Sequence, residues 1–139
     1  MSNSEKIVTI VDDDIYTAKL FREALSENIE GISVFSFNDP VRAFEHFVEN
    51  KENCILVISD LRMPGLNGLE LLKKVKTSNP NVRTILMSAY NFEEEDLYQQ
   101  YMKEAVINST IEKPITMNRL HQRVREELNA YQKGTSIKS

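Results

Sequence analysis

Residues with catalytic or metal-binding side chains follow short apolar segments at four places in this chain. They are a run of three aspartates, a single aspartate, a serine and a Lys-Pro pair, at Asp12–Asp14, Asp60, Ser88 and Lys113–Pro114. In an open parallel α/β sheet the carboxyl ends of the strands meet at one edge, so residues far apart in sequence can share a pocket there. Carboxylates, a hydroxyl and an ammonium group together suit metal-dependent phosphoryl chemistry on a carboxylate.

The aspartates point to a metal ion. Three carboxylates in one crevice repel one another unless a cation lies among them. All-oxygen ligand sets favour Mg²⁺, or alternatively Mn²⁺. An Asp run alone is more often a solvated loop or a helix cap, so the joint placement of the four groups is what indicates a site. Asp14 suits the first turn of a helix better than a metal ligand.

The apolar segments predict the elements that must position these groups. They lack strict alternation and are separated by helical patterns, which is typical of a parallel sheet covered on both faces. We predict five strands alternating with five helices. The strands are expected near residues 6–11, 32–37, 54–59, 82–87 and 107–112.

Apolar residues at i, i+3 and i+4 spacing predict the buried face of each helix. The five stripes are Ala18, Phe21, Leu25 and Ile29; Val41, Phe44, Phe47 and Val48; Leu69, Leu72 and Val75; Leu97, Tyr101 and Ala105; and Met117, Leu120, Val124, Leu128 and Tyr131. Asn38 or Asp39 is predicted to cap the second helix, with Pro40 in its first turn. The segment 79–81, Asn-Pro-Asn, is predicted to end the third helix.

Size and composition favour one small domain. At 139 residues, with 41% hydrophobic and 27% charged residues, the chain is typical of a single globular unit. We expect a disordered N-terminus at 1–5, a folded domain at 6–131 and a flexible C-terminal tail at 132–139. The net charge of -4 argues against direct nucleic-acid binding.

No apolar segment approaches the roughly 18 residues of a membrane span, so we expect no membrane partner. The polar start of the chain and the lone Cys54 favour a cytoplasmic location.

Four motifs in a fixed order connect the chain to a known family. They are Val11-Asp12-Asp13, Asp60-Leu61-Arg62-Met63-Pro64-Gly65-Leu66-Asn67-Gly68, Met87-Ser88-Ala89 and Lys113-Pro114. In this order the chain resembles the receiver domain of two-component response regulators, of the stand-alone, single-domain type. The resemblance implies a flavodoxin-like doubly wound (βα)5 fold, a three-layer sandwich around a parallel five-stranded sheet of order 2-1-3-4-5.

The resemblance also implies a role for each acidic residue. Asp60 would accept a phosphoryl group from a histidine kinase or a histidine phosphotransfer protein, forming a mixed anhydride that water later hydrolyses. Asp13 and Asp60 would bind Mg²⁺ directly, together with the backbone carbonyl of Arg62. Asp12 would act mainly through a bound water.

The other motifs would bind and report the phosphoryl group. Lys113 would contact a phosphoryl oxygen, and Pro114, joined to it by a cis bond, would fix the turn that aims it. Ser88 would donate its hydroxyl and move the following loop, while the small Ala89 leaves access to the site. Gly65 and Gly68 would allow the turn after the phosphorylation strand.

Three positions depart from the usual receiver pattern or tune it. Thr110 stands where many receivers have Tyr or Phe, so the aromatic part of the switch is altered. Arg62 and Tyr90 lie two residues beyond Asp60 and Ser88, where the family tunes dephosphorylation. Their size and charge predict a long-lived phosphoryl group.

The segment before the fifth strand differs as well. Receivers usually have Gly-Ala where this chain has Val106-Ile107-Asn108. The end of the fourth helix must therefore be capped differently, and Asn108 is the predicted left-handed residue.

These features favour a response regulator that signals by phosphorylation-dependent protein binding. It would catalyse only its own aspartyl phosphorylation and dephosphorylation, and it would bind a downstream protein or form a homodimer through its fourth helix, fifth strand and fifth helix. A phosphorelay intermediate stays open within this class.

Two other functions use some of the same residues. A phosphorylation-independent adaptor with a receiver fold is suggested by Thr110. A metal-dependent phosphatase of the haloacid dehalogenase class is disfavoured, because it needs a second Asp where this chain has Arg62.

Overall fold

Five strands alternate with five helices in the computed structural model, which describes residues 5–89 and 96–138. The strands are β1 (Ile7–Val11), β2 (Ser33–Phe37), β3 (Cys54–Asp60), β4 (Arg83–Ser88) and β5 (Ser109–Glu112). The helices are α1 (Ile15–Asn28), α2 (Pro40–Glu49), α3 (Gly68–Ser78), α4 (Asp96–Lys103) and α5 (Met117–Lys138). The predicted strands agree with these to within one or two residues.

All neighbouring strands pair in parallel, in the order β2-β1-β3-β4-β5. The doubly wound fold and the strand order implied by the sequence are confirmed. The chain leaves β1 toward β2 on one side and later reaches β3 on the other. Such a change of direction opens a crevice at the carboxyl ends of β1 and β3, because the following helices lie on opposite faces of the sheet.

The sheet is buried on both faces, which explains why its strands are continuously apolar. The apolar side chains of the strands divide between two hydrophobic clusters, one on each face of the sheet. One cluster joins the sheet to α2, α3 and α4, with Ile7, Val11, Val57, Phe47 and Leu72 among its members. The other joins it to α1 and α5, with Val8, Ile10, Ile58, Leu25 and Leu120 among its members.

The predicted stripes of α1, α3 and α5 face the core, but the stripe of α2 is partly wrong. Val41 and Val48 are 53% and 45% exposed, whereas Ala43 and Phe47 are almost fully buried. The helix is rotated so that small Ala43 faces the sheet. Larger apolar residues at the same spacing define a different stripe in this segment, although the small size of alanine allows close packing of a helix on a sheet.

The prediction for α4 is also partly wrong. Leu97 is 39% exposed and Ala105 lies beyond the helix, while Tyr98 is buried and Tyr101 packs against the same cluster. Tyr98 and Tyr101, at i, i+3 spacing, therefore both pack as core.

Ala105, not Asn108, takes the left-handed conformation after α4, with φ of 61°. Asn108 serves another purpose. Its Oδ1 accepts from the backbone N–H of Thr84 at 2.9 Å, and its own N–H donates to Thr84 Oγ1 at 3.1 Å. These bonds attach the segment before β5 to the start of β4, so Asn108 helps to align the edge strand.

Side-chain caps set several helix boundaries. Asp39 is the N-cap of α2 with Pro40 in the first turn, and Asn79 is the C-cap of α3, as predicted. Asp14 is the N-cap of α1 and accepts from the N–H of Tyr16 at 3.0 Å. Its carboxylate is therefore engaged in starting a helix.

The last helix extends to Lys138, over residues for which the sequence predicted a flexible tail. The predicted disordered N-terminus lies mostly outside the described residues, which begin at Glu5. The domain limits stay a prediction.

Gly68 lies directly against the end of β3. Its N–H donates to the carbonyl of Leu61 at 2.8 Å, and a Cβ at this position would collide with the backbone carbonyl of Asp60. Gly65 has a φ of 84°, which suits the turn between β3 and α3. The two glycines allow the first turn of α3 to pack beneath Asp60.

We expect Gly68→Ala to lower the free energy of unfolding by about 1–3 kcal/mol, because the added methyl group forces α3 away from β3. Gly134→Ala is the matched control, since a Cβ there meets nothing within 4 Å. It should leave stability unchanged or raise it slightly. Urea denaturation measures both, and equal effects of the two substitutions would contradict the proposed close contact.

Candidate functional site

Four strand ends bring the predicted site residues together at the crevice. Asp12 and Asp13 follow β1, and Asp60 is the last residue of β3. Ser88 ends β4, and Lys113 follows β5 directly.

Asp60 is held by contacts to one of its two carboxylate oxygens. Its Oδ1 accepts from the N–H of Leu61 at 3.0 Å and lies 3.1 Å from Lys113 Nζ. Its Oδ2 makes no hydrogen bond or ion pair to the described residues. The side chain of Asp60 is 9% exposed, so its orientation is fixed while one oxygen stays available for reaction.

Asp12 is more deeply buried than Asp60, and only one of its two carboxylate oxygens accepts a hydrogen bond from the described residues. Its Oδ1 accepts from the N–H of Asp14 at 2.9 Å. Its Oδ2 is buried and has no hydrogen-bond partner among the described residues, with Lys113 Nζ at 3.6 Å. A buried carboxylate oxygen without a hydrogen bond is costly, which indicates that a further cation or water belongs beside it.

Carboxylate oxygens of Asp12, Asp13 and Asp60 lie within 4.8 Å of one another, close enough to share a metal ion. Lys113 forms ion pairs with Asp12 and Asp60, so one ammonium group is paired with two of the three clustered carboxylates. The all-oxygen donor set and the unsatisfied Asp12 Oδ2 fit Mg²⁺. The three carboxylates are therefore close enough together, and of the right chemical type, to hold the predicted ion.

Burial sets the pKa values of the site. It raises the pKa of Asp12, and the nearby charges of Asp60 and Asp13 raise it further. Burial likewise raises the pKa of Asp60, although the attraction of Lys113 opposes the change. Burial alone lowers the pKa of Lys113, but Asp12 and Asp60 outweigh it and hold that pKa above its ordinary value. Both carboxylates thus gain from an added cation.

The ends of β4 and β5 are joined at the site. The N–H of Lys113 donates to the carbonyl of Ser88 at 2.8 Å, and the Lys113–Pro114 bond is cis, as the resemblance implied. Ser88 is 1% exposed, whereas Ala89 after it is exposed. Lys113 is therefore anchored by its backbone as well as by its side chain.

A cavity of about 420 Å³ opens beside the aspartates. It is lined by Asp13, Leu61, Arg62, Met63, Pro64 and Asn67. The volume of the cavity suits part of an incoming phosphoryl donor. The side chain of Arg62 is exposed and lines the cavity, so it lies where such a donor would enter.

Thr110 is the altered switch position, and Tyr90 is one of the two predicted tuning positions. Thr110 is half-buried in β5, where it is paired in register with Leu86. Tyr90 lies outside the described residues.

The sequence analysis did not identify Asn67 as a site residue. Asn67 lines the cavity and is the N-cap of α3. Asn67 Oδ1 accepts from the N–H of Glu70 at 2.9 Å, and Glu70 Oε1 accepts from the N–H of Asn67 at 3.0 Å. This reciprocal capping box is visible in the sequence as Asn67-x-x-Glu70. It could have been found, and it would have placed the start of α3 at Gly68.

The fold and the site define a phosphoryl-signalling domain of the receiver class. Residues 8–125 match the model of the response regulator receiver domain, and the chain belongs to this family. It is 33% identical over 125 residues to the sporulation initiation phosphotransferase F of Bacillus subtilis (strain 168), covering 90% of this chain and 94% of that protein.

Two further comparisons extend the likeness. The chain is 30% identical over 128 residues to the transcriptional regulatory protein ZraR of Klebsiella oxytoca, covering 92% of this chain but only 27% of that longer protein. A crystal structure of the response regulator protein TrrA from Thermotoga maritima, in complex with Mg²⁺-BeF, superimposes with a TM-score of 0.73. The two sequences are 26% identical, and the match covers 88% of this chain and 98% of the TrrA chain.

None of the helices within residues 5–89 and 96–138 combines the length and apolar character needed to cross a membrane.

Asp13→Asn should raise the melting temperature of the metal-free protein by roughly 2–4 °C, because one of three mutually repelling charges is removed. The same variant should lose most of the stabilisation that Mg²⁺ gives the wild type. Thermal unfolding in EDTA and in excess Mg²⁺ measures both effects.

Asp14→Asn is the matched control, because it removes a neighbouring charge and can still cap α1. It should keep the full Mg²⁺ response. Loss of that response in Asp14→Asn, or its retention in Asp13→Asn, would contradict the assigned cluster.

Proposed function

We propose that this chain is a response regulator receiver that accepts a phosphoryl group on Asp60. The observation that carries the proposal is the state of this carboxylate: Oδ1 is held by Leu61 and Lys113, and Oδ2 has no partner among the described residues. The donor would be a phosphohistidine on a histidine kinase or a phosphotransfer protein. A similar protein of Bacillus subtilis named as a phosphotransferase supports this choice.

In the proposed reaction, Oδ2 of Asp60 attacks the phosphorus atom of the donor. The bond between phosphorus and the imidazole nitrogen breaks, and its electron pair stays on the nitrogen. The product is an acyl phosphate on Asp60, which water later hydrolyses to aspartate and inorganic phosphate. The chain would thus catalyse only its own phosphorylation and dephosphorylation.

Asp13, Asp60 and the backbone carbonyl of Arg62 would hold Mg²⁺, with Asp12 acting through a water. The ion would supply positive charge to the transferring phosphoryl oxygens. Carboxylate oxygens of the three aspartates already lie within 4.8 Å of one another, so little rearrangement of this chain would be needed.

The ammonium group of Lys113, which is paired with Asp60, would also interact with a phosphoryl oxygen. Its Nζ lies 3.1 Å from Asp60 Oδ1, so a phosphoryl group attached to Asp60 comes within its reach. Ser88 would donate its hydroxyl to the same group, Ala89 would leave room for it, and Pro114 would keep the turn that aims Lys113. Movement at Ser88 would start the conformational response.

The response would reach a downstream protein, or a second copy of the chain, through the face formed by α4, β5 and α5. Thr110 in β5 lies on the route from Ser88 to this face, since β4 and β5 are paired. A smaller side chain at this position would transmit a weaker change than an aromatic ring. A phosphorylation-independent adaptor is the alternative function, and partner binding that is equal for wild type and Asp60→Asn would favour it.

Incubation with acetyl phosphate and Mg²⁺ should add one phosphoryl group to the wild type, detected by intact-mass spectrometry. Asp60→Asn should show no adduct, because the attacking carboxylate oxygen is replaced by an amide. EDTA should abolish the adduct in the wild type. Asp14→Asn is the matched acidic control and should be phosphorylated normally.

An adduct on Asp60→Asn would assign the acceptor elsewhere. No adduct on any variant, with no binding of beryllofluoride, would reject the phosphorylation proposal.

We expect the phosphoryl group to be long-lived, since Arg62 at the cavity entrance can screen the attacking water. Arg62→Ala should speed loss of the adduct several-fold after the donor is removed, followed by intact mass over time. Arg42→Ala is the control, because the side chain of Arg42 is 79% exposed on α2. Unchanged or slower loss in Arg62→Ala would show that this side chain does not protect the phosphoryl group.

A further inference from the structure

A second group of charged side chains lies at the opposite edge of the sheet, where the strands begin. Lys76 is in the last turn of α3 and Arg83 is the first residue of β4. The proposed phosphorylation site is at the carboxyl ends of the strands, so the two groups are separated by the length of the sheet.

Two cavities meet at this second group. One, of about 400 Å³, lies between the end of α3, the start of β4 and the segment after α4. The other, of about 180 Å³, lies between the same part of the molecule and α5. Lys76, Pro80 and Arg83 line both cavities, which therefore adjoin at these side chains.

Arg83 is held in position by a buried partner. Its Nε lies 2.7 Å from Oε1 of Glu127, whose side chain is only 7% exposed. The terminal nitrogens of Arg83 make no hydrogen bond or ion pair with the described residues. The pair thus orients the guanidinium group and leaves its outer donors available.

Lys76 is the cation of this group that has no acidic partner among the described residues. It is half-buried and forms no ion pair or hydrogen bond with the part of the chain that the structure describes. Lys73, one turn earlier, is paired with Glu104 at 3.5 Å. Three cations line the cavities, and two of them are paired, Lys73 with Glu104 and Arg83 with Glu127, which leaves an excess of one positive charge.

The surroundings of Lys76 disfavour its charge. Burial, and then the nearby Arg83, lower the pKa of Lys76 to about 8, while Glu127 opposes the change. A bound anion would reverse the direction, because it would stabilise the ammonium form.

We propose that Lys76 and Arg83 form a binding site for a phosphate-bearing small molecule. A forked guanidinium group next to an ammonium group is suited to the oxygens of a phosphate dianion. Cavities of this size fall near the range of about 300–1,000 Å³ that holds small ligands. Pro80, Ala105 and Val106 provide apolar surface for the rest of the molecule. The site goes beyond the proposed phosphorylation of Asp60 and does not depend on it.

Titration of the full ¹⁵N-labelled chain with inorganic phosphate, and then with adenosine monophosphate, tests the proposal. We expect saturable amide shifts around Thr77, Arg83, Val106 and Ala130, and a rise in the pKa of Lys76 from about 8. The pKa is followed through the Lys76 side-chain resonances. Residue-resolved shifts distinguish this site from binding near Asp13 and Ser88.

Lys76→Gln should weaken phosphate binding at least about tenfold, because a charged hydrogen bond is lost. Lys74→Gln makes the same change on the same helix, at an exposed residue that lines neither cavity, and should bind like the wild type. Lys76→Arg keeps the charge and should retain binding, which separates loss of the site from loss of folding. Asp60→Asn should also bind normally.

Three outcomes would overturn the proposal. They are shifts that grow linearly without saturation, shifts centred on Asp13 and Ser88, and equal weakening in Lys76→Gln and Lys74→Gln. Saturable binding that is lost only in Lys76→Gln would establish the site.

Discussion

The ion pair between Lys113 and Asp60 is the contact on which the functional end of this molecule depends. The two residues come from different strands, and their 3.1 Å separation requires β3, β4 and β5 to be aligned at their carboxyl ends. Two backbone bonds secure that alignment: Leu61 N–H to the Met87 carbonyl and Lys113 N–H to the Ser88 carbonyl, both at 2.8 Å. Charge placement therefore follows directly from sheet register.

Apolar packing in the rest of the fold offsets the unfavourable electrostatics of this site. Burial raises the pKa of both Asp12 and Asp60, so the site is electrostatically unfavourable without cations. Two apolar clusters on the faces of the sheet supply the stability that tolerates it. The opposite edge shows the reverse imbalance, with Lys76 uncompensated. Each end of the sheet thus carries charge that a ligand of opposite sign would neutralise.

The departures from prediction share one origin. Val41 and Val48 were expected in the core, yet the small Ala43 faces the sheet and they lie at the surface. Likewise Ala105 takes the left-handed conformation expected of Asn108. In both cases several residues fitted the local sequence pattern, and tertiary packing determined which of them took the position. Periodicity reports apolar character, but it does not report the distance between a helix and the sheet.

The helices and strands, the parallel sheet and the placement of aspartates, serine and lysine at strand ends could be predicted from the amino-acid sequence, because periodicity and motif order are local properties of a chain. Family resemblance supplied the strand order. The oxygen of Asp60 that is held, the close approach of Gly68 to the Asp60 backbone and the shared cavities of Lys76 and Arg83 are visible in the three-dimensional structure alone. These features depend on distances between separate elements, which are set by packing and leave no regular signal in the sequence.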